Sequence, residues 1–100
     1  MQTVDHAVRL TETQLKEIKM SVGRFDPEAQ VYLFGSRTDM NAKGGDVDLL
    51  IVSESMDDKD RIPLKLALYD LLGEQKIDLI IARAPFSAFQ KMVLDEGVRL

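Results

Sequence analysis

Asp46 and Asp48 stand one residue apart at the start of the apolar run VDLLIVS, residues 47–53. Residues i and i+2 of a strand point to the same face, so this spacing sets two carboxylates side by side. At about 4 Å and an effective dielectric near 20, such a pair costs roughly 4 kcal/mol, a large share of the stability of a small domain. A bound cation removes that cost. Asp78 raises a related question, because Ile77 and Leu79 flank it in KIDLIIA, a segment otherwise suited to burial. If the strand holding Asp78 lies beside the strand holding Asp48, three carboxylates converge. Hard oxygen ligands of that kind suit Mg²⁺ or Mn²⁺.

Gly35-Ser36 closes the segment QVYLF. A glycine there permits a sharp turn and lets backbone N–H groups approach an anion, phosphate being the natural candidate. The Ser36 hydroxyl could bond a phosphate oxygen, and Arg37 or Lys43 could add positive charge. Each feature also has a plainer reading. Gly35-Ser36 alone is an ordinary strand-ending turn, Asp46 after Gly45 fits turn chemistry, and Asp78 could pair with Lys76. His6 lies in an N-terminal segment expected to fray and is assigned no role.

The elements that must position these residues are legible from periodicity. Leu15, Ile18, Val22 and Phe25 form one helical stripe over roughly residues 11–24, opened by a Thr11/Gln14 capping box and stopped at Asp26-Pro27. QVYLF (30–34) and VDLLIVS (47–53) read as strands that pair antiparallel across a polar loop. A second helix is expected over 58–72 with Ile62, Leu66, Tyr69 and Leu72 on its apolar stripe and Pro63 in its first turn. A third strand, 76–82, with both faces covered, and a last helix, about 87–95, complete the order α-β-β-α-β-α. The expected fold class is α/β (α+β), one small mixed sheet packed by helices, with residues 1–100 as a single domain.

Composition narrows the function. A chain that is 45% hydrophobic and 30% charged has the balance of a folded protein, and its net charge of −4 gives no field to attract nucleic acid. No apolar run approaches the roughly 20 residues of a membrane helix, and the N-terminus lacks the apolar core of an export signal. The chain has no cysteine, which suits a reducing compartment, so the cytoplasm is the expected location.

The stretch FGSRTDMNAKGGDVDLLIV resembles the signature of the minimal nucleotidyltransferases, a branch of the DNA polymerase β-like superfamily: Gly-Ser, a spacer, Asp-x-Asp, and a later acidic residue. Here the spacer is nine residues, 37–45, and the later residue is Asp78. The resemblance implies the nucleotidyltransferase fold, with Gly35 and Ser36 on the triphosphate of ATP or another nucleoside triphosphate, where the charge of Arg37 could assist. It also implies that Asp46 and Asp48 hold two Mg²⁺ ions, which Asp78 could join as the third carboxylate, and that Asp78 acts as base. Small members of that branch resemble the antitoxin half of toxin–antitoxin pairs, implying a small all-helical HEPN-domain toxin as partner and AMP transfer to one of its tyrosines. Phe86, Phe89 and Met92 are expected to form an apolar patch for such a partner, and an oligomer is compatible with the sequence. Two alternatives stay open: transfer to a small hydroxylated molecule, and a non-catalytic module that neutralises a toxin by contact.

Overall fold

The computed structural model describes residues 11–35, 47–72 and 76–100. Its elements are α1 (Glu12–Phe25), β1 (Gln30–Phe34), β2 (Val47–Val52), a 3₁₀ turn (Asp58–Asp60) leading into α2 (Arg61–Leu72), β3 (Ile77–Ala82), α3 (Ala88–Glu96) and β4 (Val98–Arg99). They build a small mixed four-stranded sheet of order β3-β2-β1-β4, packed by helices. β1 pairs antiparallel with β2 on one side and with β4 on the other. β2 and β3 pair parallel, which requires a crossover, and α2 is that crossover.

Strand alternation decides which side chains meet which helix. Val31 and Leu33 of β1, Val47, Leu49 and Ile51 of β2, and Ile77 and Leu79 of β3 share one core with Leu15, Ile18 and Val22 of α1 and Leu64, Leu68 and Leu72 of α2. On the opposite face, Leu50, Ala82 and Val93 form a second, smaller core flanked by Tyr32, Phe34, Ile80 and Phe86. The sheet is thus covered by α1 and α2 on one side and partly by α3 on the other.

The Thr11/Gln14 capping box forms, and α1 ends with Asp26 as its C-cap. α2 differs from the sequence reading. Leu64, Leu68 and Leu72 face the core, while Ile62, Leu66 and Tyr69 are exposed. The helix is leucine-rich on both sides, so its periodicity admits two stripes spaced by three or four, and docking on the sheet selects one. β3 also departs from the expectation of full coverage: it is an edge strand, with Ile80 and Ile81 only half-buried. The terminal strand β4 is an addition to the expected order, too short for a two-residue period to be recognised.

A polar knot ties the end of α1 to the end of β2. Buried Ser53 donates its hydroxyl to Asp26 Oδ2 at 2.5 Å and accepts the Met56 and Ser55 N–H groups at 2.9 and 3.2 Å. Asp26 Oδ1 accepts the Glu28 N–H at 2.9 Å. The Ser53 hydroxyl, with help from the Glu28 amide, holds the Asp26 carboxyl below the usual aspartate range against a smaller opposing effect of burial. A carboxyl with a depressed folded-state pKa adds stability that is fully present above its unfolded value, about 3.9, and is lost as pH falls through the depressed value. Ser53→Ala should therefore cost about 2 kcal/mol in urea unfolding at neutral pH, the scale of a hydrogen bond to a charged group. The difference from wild type should shrink once Asp26 is protonated, and a constant difference down to about pH 2 would refute the coupling.

Candidate active site

The strands β2 and β3 open alike, Val47-Asp48-Leu49 and Ile77-Asp78-Leu79. In each, the two aliphatic residues are buried in the core beneath α1 and α2, so the intervening aspartate must point to the opposite face. Register then brings the two together. Asp48 lies directly across from Asp78 on the neighbouring strand, as Val47 lies across from Ile77 and Leu49 from Leu79. The register is pinned outside the ladder by Val47 N–H to Lys76 C=O at 2.8 Å and Ser53 N–H to Ala82 C=O at 3.0 Å. Slipping β3 along β2 by one residue would push Asp78 into the apolar core.

On its other side Asp48 faces β1, where Phe34 is its register partner and Gly35 follows at once. Gly35 has φ +79°, the left-handed region that disfavours any side chain. A Cβ at this position would overlap Oδ2 of Asp48 and lie 3.1 Å from its Cγ and 3.4 Å from its Cβ. The turn after β1 therefore presses main chain directly against a carboxylate, a packing open only to glycine. Gly35, Asp48 and Asp78 thus meet at one end of the sheet, where β1 ends and β2 and β3 begin.

Asp48 and Asp78 are both half-buried, so Asp78 is not the fully buried carboxylate that its apolar neighbours suggest. Its place as second residue of an edge strand keeps it near solvent. No salt bridge joins Asp78 to Lys76. Ser36, Arg37, Lys43, Asp46 and His6 lie outside the described residues. Among the described residues no three acidic, histidine or cysteine side chains converge. Two carboxylates opposed on adjacent strands, with a glycine turn against one of them, form a hard-oxygen edge whose chemistry suits a divalent ion of the Mg²⁺ type.

Residues 13–100 match the family model described as Polymerase beta, Nucleotidyltransferase. The chain belongs to that family. No curated protein matches it. As a nucleotidyltransferase it takes a nucleoside triphosphate as substrate, and relatives in this family usually work with divalent metals. No helix among the described residues is long and apolar enough to cross a membrane.

Beside this site runs a groove of about 370 Å³ between the end of β1 and α3. Of the residues expected to form an apolar patch, Phe89 and Met92 are 47% and 46% exposed and line it. Phe86 does not: it is half-buried against the second core. Glu96, which the sequence reading passed over, stands in the groove wall. The available signal was an Asp95-Glu96 pair in the last turn of a helix, where carboxylates oppose the helix dipole.

Proposed function

We propose that this nucleotidyltransferase is a single domain, residues 1–100, that moves AMP from ATP to the hydroxyl of a tyrosine on a small all-helical HEPN toxin, acting in the cytoplasm as its antitoxin. The observation that carries the transfer reaction is the pairing of Asp48 with Asp78 beside Gly35 in a chain of this family. The acceptor and the antitoxin role rest on the minimal-nucleotidyltransferase resemblance of FGSRTDMNAKGGDVDLLIV. The exposed apolar residues Ile62, Leu66 and Tyr69 of α2 offer surface to a partner.

In this reading Asp46, Asp48 and Asp78 would hold two Mg²⁺ ions, which when bound neutralise the facing carboxylates and the charge that develops on the phosphates. Gly35 and Ser36 grip the triphosphate through backbone N–H groups and the serine hydroxyl, and Arg37 adds charge to that grip. Asp78 accepts the proton of the acceptor hydroxyl. The freed oxygen attacks the α-phosphorus in line, forming a new P–O bond, and the bond to pyrophosphate breaks.

Incubating the chain and the toxin with Mg²⁺ and ATP labelled in its α-phosphate tests this. Label on a toxin tyrosine, absent with the Asp46→Asn, Asp48→Asn double variant, is the expected result. Label only on an added small hydroxylated acceptor would favour that substrate class instead. A toxin silenced equally by the double variant, with no label anywhere, would make the chain a non-catalytic binding module.

A further inference from the structure

The transfer reaction uses one end of the sheet and leaves its β3 side open. Among the described residues β3 has a neighbour only on its β2 side, so one edge of the strand is unpaired. Lys76 C=O accepts from Val47 N–H at 2.8 Å and Ala82 C=O accepts from Ser53 N–H at 3.0 Å, both toward β2. Main-chain direction alternates along a strand, so Asp78 and Ile80 turn toward β2 as well. The N–H and C=O groups of Ile77, Leu79 and Ile81 therefore point outward. Exposed edges invite pairing, and proteins commonly block them with proline or lysine; Ile77–Ala82 contains neither, and its one charge, Asp78, belongs to the site.

On the same side α2 presents a second unpartnered surface. Its buried residues Leu64, Leu68 and Leu72 are turned to the sheet and α1. α1 itself lies over β1 and β4, where Lys19 and Val22 line one cavity with Val31 and Arg99. In a right-handed crossover, the rule for parallel strands, the stripe Ile62, Leu66 and Tyr69 stands about a third of a turn further round α2 and is turned outward past β3. These residues are 48%, 58% and 39% exposed. An extended peptide would pair with the β3 edge and leave this stripe uncovered.

A second copy of the chain covers both. Antiparallel pairing of β3 with its own copy, about a twofold axis normal to the sheet, keeps the helices of both copies on the same face. Because α2 bridges β2 and β3, the two α2 helices then lie about 10 Å apart, close to the roughly 8–10 Å of packed helices. Same-face pairing admits a register centred on Leu79 or on Ile80. Centring on Leu79 sets the two Asp78 carboxylates diagonally across, about 7–8 Å apart, where they repel. Centring on Ile80 sets Asp78 opposite Ala82, holds the two Asp78 residues about 13 Å apart along the strands, and joins the outward groups of Leu79 to those of Ile81. It also brings half-buried Ile80 against its own copy.

We infer that this face is a dimer interface: β3 pairs with β3 of a second copy in the register centred on Ile80, and Ile62, Leu66 and Tyr69 of α2 pack against the same residues of that copy. The sheet then runs continuously through both copies. Phe89 and Met92, on the α3 face, stay open to a different partner.

Sedimentation equilibrium over a dilution series, with cysteine cross-linking, tests the interface. The wild type should show twice the 11.3 kDa mass of one chain. Leu66→Glu places charge in the exposed stripe, and Ile81→Pro removes an outward N–H that β2 does not use. Each should weaken the dimer about tenfold or more, while circular dichroism verifies that both variants fold. The chain has no cysteine, so Ile80→Cys introduces a single thiol. Antiparallel partners that exchange no hydrogen bonds have Cα atoms about 4.5 Å apart, within disulfide reach. Under mild oxidation Ile80→Cys should form a linked dimer, and Met20→Cys, exposed on α1, should not. A wild type that is monomeric throughout would overturn the interface and leave the stripe to another partner. A dimer weakened by Leu66→Glu but not by Ile81→Pro, with no link at Ile80, would overturn the strand pairing. A dimer as tight in both variants as in the wild type would overturn the whole assignment.

Discussion

Replacing Asp48 by asparagine should lower nucleotidyl transfer by about 10³-fold or more while the protein stays folded. Loss of a single group that stabilises developing charge costs about 10²–10³ in rate, and here the carboxylate that would hold the proposed metal is lost as well. The partner residue supplies an independent test of the same geometry. Asp78 sits directly opposite Asp48 in the parallel pair, with strands about 4.8 Å apart, and like charges so placed repel. In the absence of divalent ions, Asp78→Asn should therefore raise stability by about 1 kcal/mol, a Tm increase of about 4–8 °C for a domain of this size. The same substitution should suppress transfer. Opposite signs for stability and activity separate a functional carboxylate pair from one that holds the sheet together. If Asp78→Asn lowered the metal-free Tm by several degrees, the paired aspartates would be structural.

Gly35→Ala should be nearly as damaging, through two effects that the positive φ and the short approach to Asp48 make inseparable. A non-glycine residue in the left-handed region costs roughly 1–2 kcal/mol. The added methyl must also displace the Asp48 carboxylate, since it would overlap Oδ2. Misplacing a reacting group by about 1 Å commonly costs about 10²-fold, so kcat should fall by about that factor beyond any loss of folded protein. Urea unfolding and transfer rates measured on one preparation resolve the two parts. Wild-type activity in a folded Gly35→Ala variant would show that the turn after β1 does not position Asp48 for transfer.

How much was legible in the sequence follows from where each signal resides. The aspartate pair rests on alternation within two short strands, Val47-Asp48-Leu49 and Ile77-Asp78-Leu79, and alternation is a local property that one sequence displays. The Thr11/Gln14 box is local too, and it formed as read. The buried face of α2 was not legible, because Leu64-Leu68-Leu72 and Ile62-Leu66-Tyr69 satisfy the same helical period and only the docking of the crossover onto β2 and β3 separates them. The groove was invisible for a related reason: Phe34 and Gly35 meet Phe89, Met92 and Glu96 across more than fifty residues of chain. They are joined by β4 returning along β1 and by the close packing at Gly97, neither of which leaves a periodic trace.

Calorimetric titration of Mg²⁺ with ATP into the wild type and the Asp46→Asn, Asp48→Asn double variant asks most directly whether Asp46, Asp48 and Asp78 form the proposed metal-dependent nucleotide site. ATP binding that requires Mg²⁺ in the wild type and disappears in the folded double variant is the expected result. Mg²⁺-dependent ATP binding of equal strength in both proteins would contradict it.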